Sequence, residues 1–226
     1  MNAKATLILK ALAAGALLAA SAAASAQQAP GTWAVSVGYN NISPHETDAL
    51  SAPSIPDSKT KPASDGQPVF NIIYNFTDHI SAMLGLGTPY THDLSGSGAL
   101  AGTGKLGTLQ QLPPTLFAQY RFLDASAPVR PYVGIGATYA MFRDEKGSGT
   151  LTAISNPGGA PTTFTVDNAW GVTPQLGVTW NVNPRWFVDG WVAKTYISTT
   201  VHLSTGQSSN APLNPTSAAI TVGYRF

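Results

Sequence analysis

The sequence contains no cysteine, which excludes structural disulfides and also a lipoprotein, whose lipid is attached to a cysteine after the cleavage site. Charged residues make up only 10% of the chain, against about 25% in an average soluble domain. The formal net charge of +1 gives no electrostatic reason to expect nucleic acid as a partner. No stretch after the N-terminal segment approaches the roughly 20 apolar residues of a membrane-spanning helix. Any membrane crossing is therefore predicted to use strands.

The N-terminal segment has the three parts of a secretory signal peptide. Lys4 and Lys10 lie near the start, a run of Ala and Leu follows, and Ala24-Ser25-Ala26 supplies the small residues that signal peptidase needs. We therefore predict that residues 1–26 are a signal peptide cleaved after Ala26. Residues 27–226 have the length of one exported domain.

The C-terminus is an alternating strand that ends on an aromatic residue. Residues 220–226 read Ile-Thr-Val-Gly-Tyr-Arg-Phe, so large apolar side chains fall on one face and small or polar side chains on the other. One face suits lipid, and the other suits the inside of a small barrel. We expect the barrel assembly machinery to bind this end of the chain through Phe226.

Seven earlier segments alternate in the same way, so the chain has eight predicted strands, an even number as in bacterial barrels. The segment that begins at Trp186 is less regular, because Lys194 shares a face with Val188 and Val192. Either a β-bulge resets its register, or Lys194 extends to the lipid headgroups. The seven segments are 32–42, 69–76, 80–89, 115–122, 130–142, 170–182 and 186 to about 201.

The connections between these segments alternate between short and long. The long ones are rich in Gly, Ser, Pro and Asn, which predicts mobile surface loops rather than a second domain. Short turns on one side and long loops on the other are typical of the periplasmic and extracellular ends of a barrel. The short connections are 75–79, 123–129 and 183–185, and the long ones are 43–67, 93–114, 143–168 and 202–214.

These features predict an all-β fold, namely an eight-stranded antiparallel transmembrane β-barrel in the outer membrane. Aromatic residues near the strand ends fit an interfacial girdle. In the alternative, a soluble β-sandwich, the signal peptide, the loop asymmetry and the terminal aromatic residue would be coincidences. The girdle residues are Trp33, Tyr74, Phe76, Tyr120, Phe122, Trp180, Trp186, Tyr224 and Phe226.

The inward positions of the predicted strands combine bulky apolar residues, glycines and a few polar groups. An eight-stranded barrel has room only for its own side chains or for one small ligand. The apolar residues therefore either line a dry passage or merely fill the barrel. The polar residues are expected to form a floor near the periplasmic end that blocks ions. The predicted lumen lining includes Met83, Gly85, Phe117, Tyr132, Phe142, Trp191 and Ala193, and the predicted polar floor is Gln119, Arg121, Asp189 and Arg225.

Several sequence blocks, in order along nearly the whole mature chain, resemble the outer membrane protein W (OmpW) family. The resemblance implies an eight-stranded barrel with a narrow lumen that moves small hydrophobic molecules across the outer membrane. Gly85 and Ala193 depart from it, because they stand where such a lumen would carry bulky constrictions; Trp191 on the same face supplies bulk instead. The blocks are 112–116 (LPPTL), 119–122 (QYRF), 130–134 (RPYVG) with Gly136, 142–146 (FRDEK), 170–171 (WG) with Gln175 and Gly177, and 222–226 (VGYRF).

Catalysis is not favoured by the sequence. An acyl-transfer site needs a nucleophile, a base and a third orienting group. His92-Asp93 and His202, with Ser95 or Ser204, are the nearest candidates, but no nucleophile motif surrounds them. His79 follows Asp78 in a predicted turn, and His45 lies in a predicted loop. We predict neither a metal site nor a cofactor.

Two functions remain as hypotheses. The first is a monomeric barrel that passes small hydrophobic solutes through an apolar lumen. The second is a plugged barrel that displays its loops to phage, host or lipopolysaccharide without transport. The expected partners are outer-membrane lipid, lipopolysaccharide and, for the first hypothesis, small hydrophobic solutes.

Overall fold

The computed structural model describes residues 30–48, 50 and 57–226, so the predicted signal peptide lies outside the described residues. Among the described residues, no helix has both the length and the hydropathy needed to cross a membrane. The elements are β1 (Thr32–Ser43), β2 (Ser58–Pro62), β3 (Asp65–Asn75), β4 (Ile80–Gly87), β5 (Tyr90–Gly98), β6 (Lys105–Leu112), β7 (Thr115–Arg121), β8 (Val129–Gly147), α1 (Gly149–Ser155), β9 (Phe164–Val166), β10 (Ala169–Asn181), β11 (Trp186–Lys194), β12 (Ser198–Leu203), β13 (Ser208–Pro212) and β14 (Thr216–Arg225).

Eight of the described strands close into an antiparallel barrel. They follow one another as β1, β3, β4, β7, β8, β10, β11 and β14, and β14 pairs with β1 to complete the circle. In that last pairing Val35 lies opposite Tyr224 and Ser43 lies opposite Thr216. The predicted eight-stranded barrel is confirmed, and short turns join the strands at the end where Phe226 lies.

The two faces of the barrel wall differ as the alternation predicts. Ile220 is 62% exposed on the outside, whereas its neighbour Thr221 is 1% exposed on the inside. Tyr224 also faces outward but is only 7% exposed. The rings of Trp186 and Phe226 cover it, with centroids 5.0 and 5.4 Å from the Tyr224 centroid. A continuous apolar outer face is what a strand needs when lipid replaces water as its solvent.

β11 pairs without a register shift with β14 from Trp186 to Lys194 and with β10 from Phe187 to Ala193. The β-bulge alternative is therefore wrong for this strand. Lys194 lies on the outward face at the extracellular end of β11, where its Nζ contacts His45 Nε2 and lies 3.5 Å from Thr216 Oγ1. The predicted strand to about residue 201 is also wrong, because β11 ends at Lys194 and residues 198–203 form the separate strand β12.

The long connections are more ordered than the sequence analysis predicted. β2, β5, β6 and the upper part of β8 extend the barrel wall, and β9, β12 and β13 form a three-stranded sheet beside it. Together they enclose a hydrophobic core of their own, which includes Leu106, Phe142, Phe164 and Val201. The sequence analysis did not predict these strands, because single apolar residues spaced among Gly, Ser and Pro leave the local composition polar.

Candidate ligand site in the barrel lumen

A cavity of about 60 Å³ lies in the extracellular half of the barrel lumen. Of the seven residues predicted to line the lumen, five border this cavity. The Phe117 and Trp191 rings approach each other across it, with centroids 6.4 Å apart. Phe117 also packs in a small apolar cluster with Met83, Ile73 and Phe187. The five bordering residues are Met83, Gly85, Phe117, Trp191 and Ala193.

Tyr132 and Phe142, the other two predicted lining residues, lie away from this cavity. Tyr132 lies near the periplasmic end, where its hydroxyl donates to Asp189 Oδ2 at 2.8 Å. Phe142 belongs to the extracellular hydrophobic core. Both side chains point inward as predicted, but β8 spans 19 residues and extends beyond the membrane. Side-chain alternation shows which face of the strand a residue occupies, but it carries no information about the position of that residue along the barrel axis.

Two inward glycines make room for aromatic rings. A Cβ added at Gly136 would lie 2.7 Å from Cδ1 of Phe117, and one added at Gly177 would lie 2.2 Å from Cζ of Tyr132. Any larger residue there would displace these rings. The glycines therefore allow close packing across the strands, and the Phe117 and Tyr132 rings occupy the space beside them.

A row of threonine hydroxyls crosses one wall of the cavity. Thr115 Oγ1 lies 2.8 Å from Thr138 Oγ1, which lies 2.6 Å from Thr173 Oγ1. Thr173 in turn donates to Thr195 Oγ1 at 3.1 Å. All four threonines border the cavity. The sequence analysis missed this row, because four inward threonines on separate segments line up only once the strand register is known.

The opposite wall is also partly polar. Asn40 Nδ2 donates to the Tyr90 hydroxyl at 2.8 Å, and Asn71 Nδ2 donates to Ser36 Oγ at 2.9 Å. Asn40, Asn71 and Tyr90 all border the cavity. The upper lumen is therefore a mixed surface with apolar rings and uncharged hydrogen-bonding groups.

A buried polar network lies below the cavity. Arg121 Nη1 donates to Ser81 Oγ and, at 3.1 Å, to Gln119 Oε1. Gln119 Nε2 donates to Gln175 Oε1 at 2.9 Å. The guanidinium of Arg121 also lies 5.0 Å from the centroid of the Tyr132 ring. These contacts join side chains of β4, β7, β8 and β10 inside the barrel, on the periplasmic side of the cavity.

Asp189 and Arg225, the other two predicted floor residues, lie beside this network. Asp189 accepts hydrogen bonds from Thr179 at 2.6 Å and from Tyr132. Arg225 donates to Asn181 Oδ1 at 2.6 Å, and its guanidinium lies 4.4 Å from the centroid of the Phe187 ring. The structure thus places all four predicted floor residues in the periplasmic half of the lumen.

Arg130 is a floor residue that the sequence analysis missed. Its side chain is fully buried, and its Nη2 donates to the carbonyl oxygens of Asp78 at 2.6 Å and Leu123 at 2.8 Å. Arg130 thereby ties two periplasmic turns together from inside the barrel. An arginine at the first inward position of a strand, beside a short turn, is the sequence signal that points to such a role.

The barrel wall is interrupted beside the cavity. The β4–β7 ladder ends at the pair Gly85–Thr115, and the β5–β6 ladder begins at the pair Tyr90–Gln111. Residues 86–89 and 112–114 lie between the two ladders, and three of these seven residues are prolines that have no N–H to donate. Leu86 borders the cavity and is 39% exposed on the outside. Leu86 thus lies on the border of the cavity and also reaches the outer surface of the barrel.

Two titratable groups are buried where the lumen meets the extracellular strands. Burial lowers the pKa of His92 and raises the pKa of Tyr90 to about 12, so both groups are neutral at pH 7. The Nδ1–H of His92 donates to the Ala63 carbonyl oxygen at 2.7 Å, and the imidazole stacks on the Tyr90 ring. His92 therefore holds β5 against the chain that follows β2.

His202 lies at the centre of a serine–histidine–aspartate line on the extracellular surface. Its Nδ1 lies 2.8 Å from Ser208 Oγ, and its Nε2 lies 3.1 Å from Asp167 Oδ2. Ser208 is the register partner of His202 in a regular ladder rather than a residue on a strained turn. All three side chains are solvent-exposed, so this line is a surface cross-strand contact. Across the described residues, no group of three or more potential metal ligands comes together.

The comparisons with known proteins agree with this architecture. A model of the OmpW family matches residues 30–226. The chain belongs to the OmpW family. OmpW-family proteins are non-enzymatic barrels of the outer membrane.

Individual relatives and one solved structure support this assignment. Outer membrane protein W of Vibrio cholerae serotype O1 is 35% identical over 159 residues, which are 68% of this chain and 70% of that protein. The dibenzothiophene metabolism operon protein PahQ of Pseudomonas aeruginosa is 25% identical over 207 residues, which are 89% of this chain and 90% of that protein. The crystal structure of the outer membrane protein OprG from Pseudomonas aeruginosa superposes with a TM-score of 0.75 at 25% identity, covering 88% of this chain and 98% of that one.

Proposed function

We propose that this barrel provides a narrow passage through which small hydrophobic molecules cross the outer membrane. The observation that carries the proposal is the lumen cavity between Met83, Phe117 and Trp191, which ends below on a polar floor. Apolar rings favour uncharged solutes, while the floor blocks ions. One relative of this chain, the protein PahQ, is named for an operon of dibenzothiophene metabolism, and dibenzothiophene is an apolar aromatic compound.

The size of the cavity indicates that a solute must move side chains as it enters. An engineered apolar cavity of about 150 Å³ accommodates benzene, whereas the lumen cavity measures about 60 Å³. Trp191 is the largest side chain on its border, so rotation of the indole provides the additional volume. The structure therefore corresponds to the closed state of the proposed passage.

In this proposal the solute leaves the lumen sideways, between strands into the lipid, rather than downward through the floor toward the periplasm. The floor below the cavity consists of buried, mutually hydrogen-bonded polar groups, and opening it would leave them unpaired. Among the described residues, no ladder joins 86–89 to 112–114, so passage between these two segments breaks no strand pairing. A hydrophobic solute that displaces Leu86 would pass directly into the lipid.

The test is the substitution Trp191→Arg. A guanidinium beside Phe117 places a charge on the solute path, and we expect uptake of hydrophobic solutes to fall to the level of cells without the barrel. Thr205→Arg is the matched control, because Thr205 lies exposed in the turn after β12, far from the cavity. Uptake is measured in cells that lack other OmpW-family proteins, and heat-modifiable gel mobility confirms that each variant folds. Normal uptake in a folded Trp191→Arg variant would refute the path.

The second candidate function is display of the extracellular strands without transport. The closed floor and the separate extracellular hydrophobic core favour it. Removal of the β12–β13 hairpin, residues 198–212, separates the two functions, because none of these residues borders the lumen cavity. A display protein would lose binding of its phage or host partner, whereas a passage would keep solute uptake.

The expected partners follow from the outer surface of the barrel. Lipid contacts the apolar band, lipopolysaccharide lies at the rim near Lys194, and the barrel assembly machinery binds the strand that ends at Phe226. A monomer suffices, because the described strands close the barrel within one chain.

A further inference from the structure

Two buried polar atoms on the border of the lumen cavity lack hydrogen-bond partners. In the part of the chain that the structure describes, neither the indole Nε1 of Trp191 nor Oδ1 of Asn40 is paired. Asn40 is only 6% exposed, and both residues border the cavity. The first atom is a donor and the second is an acceptor. The cavity therefore presents one unused group of each kind.

The threonine row adds a third unused group. Thr173 donates its only proton to Thr195, so Thr138 must donate to Thr173, while Thr115 donates to the Pro113 carbonyl oxygen at 3.2 Å. The Thr195 proton then has no acceptor among the described residues, and Thr195 borders the cavity. Each hydroxyl oxygen of the row also keeps an acceptor lone pair.

No charged side chain is found among the described residues that border this cavity. The border thus combines aromatic and aliphatic surface with neutral donors and acceptors. An ion would lose its hydration without compensation there. A pure hydrocarbon would leave the polar atoms of Trp191, Asn40 and Thr195 unpaired.

We propose that the lumen favours uncharged aromatic or aliphatic solutes that carry a hydroxyl group over hydrocarbons of the same shape, an inference that rests on the proposed function. A hydroxyl both donates and accepts, so it matches the unpaired atoms of Trp191 and Asn40. Ordered water satisfies such groups in an empty polar cavity, and a solute that displaces the water retains affinity only if it replaces those hydrogen bonds. Gly85 and Ala193 leave room beside these groups for the hydrocarbon part of the solute.

The test compares 2-naphthol with naphthalene, two uncharged solutes that differ by one hydroxyl. Uptake of each is measured in cells that produce the full chain, and the readout is the ratio of the two rates above the rates of cells without the barrel. Trp191→Phe removes the indole N–H but keeps an aromatic ring, and Thr195→Val removes one hydroxyl at nearly constant volume. Loss of one such hydrogen bond should lower the ratio about five- to tenfold in each variant.

Thr221→Val is the matched control. Thr221 is buried inside the barrel and its hydroxyl has no partner among the described residues, but it does not border the cavity. The ratio of 2-naphthol uptake to naphthalene uptake in Thr221→Val should equal the wild-type ratio. Heat-modifiable mobility again confirms that all three variants fold.

The outcomes separate the two proposals. A ratio that falls in Trp191→Phe and Thr195→Val but not in Thr221→Val supports hydroxyl recognition. If the wild type accelerates both solutes but the ratio is the same in every variant, hydroxyl recognition is wrong and the passage stands. If the wild type accelerates neither solute, the proposed function fails and the inference falls with it.

Discussion

The Asp189 carboxylate shows how single residues maintain the barrel floor. It lies inside a membrane barrel, where an unpaired charge is costly. Thr179 and Tyr132 donate hydrogen bonds to its two oxygens, and Arg121 and Arg225 lie close enough to interact with its charge. Each of the two donors thus satisfies one oxygen of this buried carboxylate.

At the residue scale, we predict that Tyr132→Phe destabilises the barrel by about 1.5–3 kcal/mol, the usual contribution of a hydrogen bond to a charged group. The substitution removes only the hydroxyl that donates to Asp189. The free energy of unfolding is measured by denaturant titration in lipid vesicles. Tyr139→Phe on the outer face is the control, and it should change stability by less than about 0.5 kcal/mol. Equal effects of the two substitutions would contradict the assigned role of Tyr132.

The extracellular strands show how elements beyond the membrane depend on neutral buried groups. β5 is held to the chain after β2 by the hydrogen bond from His92 to Ala63 and by one from the Ala63 amide to the Asp93 carbonyl oxygen at 2.8 Å. His92 can keep this position at low energetic cost only while it is uncharged, because burial lowers its pKa.

At the element scale, we predict that acid loosens β2 and β5. The unfolded segment binds a proton on His92 near the ordinary pKa of about 6.5, whereas the folded segment does so only at lower pH. The contribution of His92 to stability is therefore complete above pH 6.5 and is lost as the pH falls from there toward the lowered pKa. Hydrogen-exchange protection of the Ala63 amide should decrease between pH 7 and pH 5. His92→Gln, which cannot titrate, should remove this dependence, and a dependence that persists would implicate another group.

Barrel closure places the outer face of every strand in lipid. Ile220 lies near the middle of β14 and faces outward, whereas Thr216 faces outward at the extracellular end. Charge is tolerated at the rim and not at the centre, because water and headgroups reach only the rim.

At the scale of the whole molecule, we predict that Ile220→Arg costs about 2–4 kcal/mol of folding stability in vesicles, as expected for a lipid-facing arginine at the midplane. Thr216→Arg should cost only about 0–1 kcal/mol near the interface. Both values come from the same denaturant titration. If Ile220→Arg and Thr216→Arg lower the folding stability by the same amount, Ile220 does not lie near the membrane midplane.

The sequence by itself determined which residues face lipid and which face the lumen, because side-chain alternation is a local property of a strand. Strand number, the short turns and the closing C-terminal strand followed from the same local signals. Depth and neighbourhood were decided only by the tertiary structure. Tyr132 and Phe142 share a face of one strand, yet Tyr132 lies beside the polar floor and Phe142 in the extracellular core.

The threonine row was likewise decided only by the tertiary structure. Thr115, Thr138 and Thr173 meet because antiparallel register brings distant segments to one level of the barrel. Register arises from pairing along whole strands and from the stagger that closes the barrel. Apolar residues scattered through the long connections likewise became a core only when β2, β5, β6 and the smaller sheet came together. Local periodicity shows which face of a strand a residue occupies. Pairing between strands that are distant in the sequence determines which of these residues come together.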